Sequence, residues 1–181
     1  MNRTVKIALA LLLMMPCILN AAPRMGAGAR ADMVSSGFEF RFWFPAESGT
    51  RGFVAPQAIG FYAGSTTDAY YFYNVGLRGG VMFRSENWIS PIADVSVGYG
   101  DYDSENRHLG ARAAIGISVA PFQYSPESTI GFLKKLAGLR FEFDSGLIFR
   151  RDNSSYSNGT FESLYTDILL PDFGAGFVFN W

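Results

Sequence analysis

The chain has 181 residues, a formal net charge of −1 and 49% hydrophobic residues, but only 17% charged ones. A soluble domain ordinarily carries roughly 25% charged residues. This length holds one domain or two very small ones, near-zero charge removes the basic footprint of nucleic-acid binding, and 17 Phe with 9 Tyr argue against wholesale disorder.

The first feature along the chain is a targeting segment. Arg3 and Lys6 precede an apolar run over residues 7–19, and the small residues Ala21 and Ala22 follow. That run is too short for a membrane-spanning helix, which needs about 20 residues, and matches a secretory leader. The expected cut follows Ala21, because a cut after Ala22 would put Pro23 next to it. Residues 1–21 are thus expected to be removed and residues 22–181 to form the mature domain. Cys17 is the one cysteine and lies in the leader, so no disulfide framework is expected. A lipoprotein reading at Cys17 is the rival, but Met14, Met15 and Pro16 make a poor lead-in. No later segment has 18 uninterrupted apolar residues, so a helical membrane protein is excluded.

The mature chain alternates with period two, the signature of strands with one apolar face. A weak strand of small residues sets Met25, Ala27, Ala29, Ala31 and Met33 against Gly26, Gly28, Arg30 and Asp32. Its glycines superficially resemble a dinucleotide-binding motif, which would need a strand before and a helix after; that reading is discarded. Over 37–45, Phe38, Phe40, Phe42 and Phe44 oppose Glu39, Arg41 and Trp43. The span 52–62, interrupted by Pro56, is the least regular. Over 71–83, Tyr71, Tyr73, Val75, Leu77, Val81 and Phe83 oppose Asn74, Gly76, Arg78 and Gly80. Over 89–99, Ile89, Ala93, Val95, Val97 and Tyr99 oppose Asp94, Ser96 and Gly98.

The series continues to the C-terminus. Over 109–119, Leu109, Ala111, Ala113, Ile115, Ile117 and Val119 oppose Gly110, Arg112, Gly116 and Ser118. Over 139–149, Leu139, Phe141, Phe143, Leu147 and Phe149 oppose Arg140, Glu142, Asp144 and Gly146. Last, Phe173, Ala175, Phe177, Phe179 and Trp181 oppose Gly174, Gly176, Val178 and Asn180.

A soluble β-sandwich also alternates, but two details favour a single antiparallel transmembrane up-and-down barrel. Aromatics gather near strand ends as in interfacial girdles (Phe83, Trp88, Tyr99, Trp181). The opposite face carries Gly, Ser and charges of both signs: Arg41, Arg78, Arg112 and Arg140 with Glu39, Asp94, Glu142 and Asp144. An eight-stranded lumen is just wide enough for side chains to fill. These eight charges are therefore expected to pair into an ionic plug, since an unpaired buried charge is costly. An acid/base role for Glu142 and Asp144 is the less favoured reading.

Counting back from Trp181 makes 165–181 one long final strand with Pro171 near the outer rim. The segments 64–69, 100–107 and 152–160 then face outside and 84–87 is a tight periplasmic turn, with both termini periplasmic and eight strands in all. A second count splits the C-terminus at Pro171–Asp172 and drops the strand at Met25; it also gives eight strands but inverts the loops. The first is preferred. The segment 122–138 is long for a periplasmic turn, and Phe132, Leu133 and Leu136 beside Lys134 and Lys135 predict a short amphipathic helix.

With the leader, the eight alternating segments and the terminal pattern Phe173, Phe177, Phe179, Trp181, the chain resembles small bacterial outer-membrane barrels of the OmpA/OmpX type. The terminal pattern looks like the assembly signal read by the barrel-insertion machinery; those proteins most often end in Phe, where this chain has Trp181. The resemblance implies residence in the bacterial outer membrane after export through the periplasm. Outer-membrane lipid and the assembly machinery are the partners it implies.

Chemistry is sparse. Lipid-modifying barrels such as those resembling the lipid A deacylases set a histidine and a serine two apart on one strand; here the single His108 is followed by Leu109 and Gly110. Ser104 and Ser118 are near it only in sequence, and a nucleophile needs its base within hydrogen-bond reach. His108 therefore reads as a loop-edge residue without a role. One histidine and one cysteine leave no N/S metal cluster. The sequons at Asn153 and Asn158 mean little in a bacterial exported protein. No cofactor, metal, nucleic acid or enzymatic activity is expected. The expectation is a monomeric barrel with a structural or adhesive role, whose loops 100–107 (Tyr102) and 152–160 (Tyr156) could meet an extracellular ligand. A narrow channel, or a transporter of hydrophobic solutes, is the first alternative, and a lipid-modifying outer-membrane enzyme the less favoured second.

Overall fold

The structure is a computed structural model that describes residues 24–45, 49–64, 69–102, 106–123, 136–155 and 163–181. Eight strands follow one another: β1 Arg24–Ala31, β2 Gly37–Pro45, β3 Arg51–Gly64, β4 Ala69–Met82, β5 Ile89–Tyr102, β6 Asn106–Val119, β7 Leu139–Ser155 and β8 Ser163–Asn180. Each pairs antiparallel with its neighbour, and β8 returns to β1, closing an up-and-down barrel. Apart from 3-10 geometry at Gly49 and a 3-10 turn at Leu136–Gly138 before β7, the regular elements are strands among the described residues. No helix among the described residues is long and apolar enough to cross a membrane. The leader with Cys17, Ser104, Tyr156, and the predicted helix at Phe132, Leu133, Lys134 and Lys135 lie outside the described residues.

Closure removes the unpaired sheet edges that would otherwise invite association, and alternation then divides the side chains between wall and lumen. Outward stand Phe38, Phe40, Leu77, Val95, Val97, Leu109, Ile115, Phe143, Leu147, Phe149 and Phe173, all exposed. Inward stand Glu39, Arg41, Asn74, Arg78, Asp94, Arg112, Glu142 and Asp172, all buried. Apolar outside and polar inside is the reverse of a soluble core.

The span read as least regular is β3. Pro56 offers no N–H to a ladder, and pairing of β2 with β3 lapses between Glu39–Gln57 and Phe42–Val54, while the β4 side remains continuous. Alternation fades further along because the β3–β4 hairpin outruns its neighbours. There Ile59, Gly60, Phe61 and Tyr62 are all exposed, so no single face is selected. The chain is also one strand across Pro171, which excludes the split at Pro171–Asp172. Its missing N–H costs nothing there, because pairing with β1 has already ended at Ala175–Ala31.

Several strands run past the limits that periodicity marks. β5 continues to Tyr102 and β7 to Ser155, so segments 100–107 and 152–160 are partly ladder. Pairing needs only backbone, whereas alternation needs one dry face; beyond the apolar band both faces are polar and the pattern stops first. The tight turn at 84–87 is present. Arg84 takes a left-handed φ of 50°, Asn87 N donates to Arg84 O at 2.9 Å, and Ser90 Oγ caps the same carbonyl at 2.9 Å.

Candidate functional site

The barrel interior is the candidate site, and every strand contributes to it. Arg78 of β4 stands at its centre, with Nη1 donating to Glu142 Oε2 at 2.9 Å and Nη2 to Asp94 Oδ2 at 2.8 Å. Glu39 and Asp144 lie 3.8 and 3.7 Å from the same guanidinium. Arg41 of β2 grips Glu142 of β7 with both terminal nitrogens, at 2.5 and 2.9 Å, and also donates to Glu39. Such a two-pronged contact fixes geometry as well as charge. Gln57 Nε2 of β3 donates to the second oxygen of Glu39 at 3.1 Å.

On the far side of Arg78, Arg112 of β6 donates to Asp172 of β8 at 2.6 Å and to Asp144, and stands 3.7 Å from Asp94. Arg30 of β1 completes the layer, donating to Asp144 at 2.5 Å and to Asp32 at 2.9 Å. The charged side chains of this layer are 0–2% exposed. Seven of the eight charges read from the sequence thus meet in one layer.

Arg140 points inward but toward the end that holds the termini. It donates to Ser85 O at 2.5 Å, Gln123 Oε1 at 3.1 Å and Ser90 Oγ at 3.3 Å, and it lines an open cavity of about 410 Å³ with Trp43, Met82 and Asn180. Arg30, Asp32 and Asp172 join the layer beyond the eight charges read from the sequence: alternation places Arg30 and Asp32 on the inner face, and Asp172 shares its parity with Gly174 and Gly176. Among the described residues the layer holds four guanidiniums against six carboxylates, so its charges are not evenly matched.

An apolar cap lies between this layer and Arg140: Trp43, Phe53, Ala55, Met82 and Ile92. Trp43 and Phe53 rings are 5.4 Å apart at 57°. Arg41 sits 4.4 Å from the Phe53 ring and 5.1 Å from that of Trp43, and Arg78 5.1 Å from Phe53. A guanidinium over an aromatic face is attracted by the ring quadrupole, so the cap also holds the cations. Trp43 Nε1 donates to Asn180 Oδ1 at 2.7 Å, joining β2 to the last strand.

His108 differs from the loop-edge residue expected. It is 3% exposed, faces the lumen and lies 3.2 Å from Asn74 Nδ2. Ser118 is on the same strand and face, ten positions along; at about 3.3 Å per residue it is far beyond hydrogen-bond reach. Among the described residues no group of three or more His, Cys, Asp or Glu side chains is arranged to hold a metal ion.

The terminal residues Phe173, Phe177 and Trp181 face outward and are exposed, with Phe179 partly covered on the same face. Phe179 packs on Trp181 with ring centres 6.4 Å apart.

The chain matches no protein-family model and no curated protein sequence. Among solved structures it is similar to Neisserial surface protein A, at 16% identity and a TM-score of 0.34, over 88% of this chain and 96% of that one.

Proposed function

We propose that this chain is an integral protein of the bacterial outer membrane, exported behind a cleaved leader and inserted through its C-terminal strand. In this reading its interior is a packed plug, and its role is structural or adhesive at the cell surface rather than enzymatic. The observation that carries it is the band of exposed apolar side chains between two aromatic belts. Tyr73 and Tyr99, 6.0 Å apart, mark one belt; Phe83, Trp88 and Trp181, 43–59% exposed, mark the other. Tyr73 of β4 and Phe83, the residue directly after that strand, are ten positions apart. At about 3.3 Å per residue and a tilt near 40°, that separation is about 25 Å, the height of the apolar band of outer-membrane barrels.

Val95 lies midway between the belts and is 61% exposed. In water a substitution at such a site changes stability by within about 0.5 kcal/mol, whereas arginine at a bilayer midplane costs about 2–4 kcal/mol. Val95→Arg is therefore expected to lower the unfolding free energy in lipid bilayers by the larger amount, read from urea titration of the heat-modifiable gel band. A change under about 0.5 kcal/mol, or a folded detergent-free monomer in buffer, would reject the membrane reading.

The plug is tested separately. In planar bilayers the purified protein is expected to give no reproducible conductance steps; their appearance would favour the narrow-channel alternative.

A further inference from the structure

We propose that residues 32–36, the connection between β1 and β2, form a stopper that seals the lumen at the end away from the termini, in series with the ion-pair layer. The barrel wall is low at this point. β1 and β2 have 8 and 9 residues, whereas the other six strands have 14–18. A short solvated connection would satisfy the topology. Instead the chain folds inward: Val34 and Ser35 are 0% exposed, while Met33 beside them is 46% exposed.

A socket receives them. A Cβ at Gly98 of β5 would stand 2.2 Å from the Val34 carbonyl oxygen, one at Gly76 of β4 2.6 Å from Ser35 Cβ, and one at Gly110 of β6 3.0 Å from Val34 Cγ2. Three strands thus omit a side chain where the loop enters. The loop keeps its shape through Asp32, whose Oδ1 accepts from Val34 N at 2.9 Å and Ser35 N at 2.7 Å. Ser36 Oγ donates to Asp32 O at 2.7 Å and accepts from Asp32 N at 3.0 Å. Arg30 ties Asp32 to the ion-pair layer, and Asn74 Nδ2 reaches Val34 O at 3.4 Å. Backbone groups this deep need partners, and the loop brings most of its own.

The stopper requires the closed barrel but not its residence in a membrane, so thiol labelling of the folded protein tests it apart from the membrane reading. In a full-length Cys17→Ser chain, Ser35→Cys and Met33→Cys are each treated with a charged maleimide, with folding verified by unheated gel migration. Ser35→Cys is expected to react about 100-fold more slowly than Met33→Cys, because reaction awaits local opening. Adding Gly98→Leu, which blocks the socket, is expected to bring the two rates together. Equal rates in the chain that keeps Gly98 would overturn the proposal. So would continued protection of Ser35→Cys in a folded Gly98→Leu barrel. If Gly98→Leu does not fold, the first comparison decides alone.

Discussion

Replacing Arg78 with alanine is expected to lower the unfolding free energy by about 3–5 kcal/mol, the cost of stripping one partner from buried ions. Arg78 is hydrogen-bonded to Glu142 and Asp94 and stands within 4 Å of Glu39 and Asp144, so no other residue of the layer answers as many carboxylates. The folded barrel cannot relieve the loss by turning these acids toward water, since their side chains are 0–2% exposed. Urea titration, with the folded fraction read from unheated gel migration, measures the effect. A double-mutant cycle with Glu142→Gln is expected to recover part of the loss, because neutralising one acid removes part of the excess negative charge. A loss below about 1 kcal/mol, the range of exposed pairs, would mean that water reaches the layer and that it is no plug.

Trp43→Ala is expected to cost about 3–5 kcal/mol, as for other buried tryptophans. It opens a cavity beside Phe53 and removes an aromatic face from Arg41. Trp43→Phe keeps most of the packing and loses the Nε1 bond to Asn180, for an expected cost of about 1 kcal/mol. The ratio of the two separates packing from hydrogen bonding. Equal losses would make the link between β2 and β8 the principal role of the side chain.

Much of this barrel is legible in sequence because a wall with one greasy and one polar face forces period two. Phe38 to Phe44 and Leu139 to Phe149 show it with hardly an exception. The inward parity of Arg41, Arg78, Arg112, Glu142 and Asp144 follows from the same pattern. What parity lacks is height: how far each strand is displaced along the barrel axis relative to the others. Arg140 and Glu142 share a face two positions apart, yet one meets turn carbonyls near Ser85 and the other the centre of the lumen. Hairpin registers and the β1–β8 closure decide that difference, and alternation is blind to both. Alternation carries the first strand on through Asp32 and Met33, whereas β1 ends at Ala31 and residues 32–36 turn inward, because that course depends on recesses at Gly76, Gly98 and Gly110, far away in the chain. His108 is mistaken for a loop residue because β6 begins before its apolar alternation does.

Closure between the first strand and the last sets the order of assembly. Gly26 pairs with Asn180 and Ala31 with Ala175, so the ring has no seam until nearly the whole chain is present. Contacts this distant in sequence carry a loop-closure cost before they return anything, and they slow folding. The lumen charges share the dependence: Arg112 waits for Asp172, and Trp43 for Asn180. A chain stopped short of β8 would present two open edges, which the proposed membrane setting makes costly because lipid cannot satisfy unpaired backbone, together with a half-answered set of charges. The eighteen residues of β8 therefore act as the key that closes the ring and completes its layer of charges.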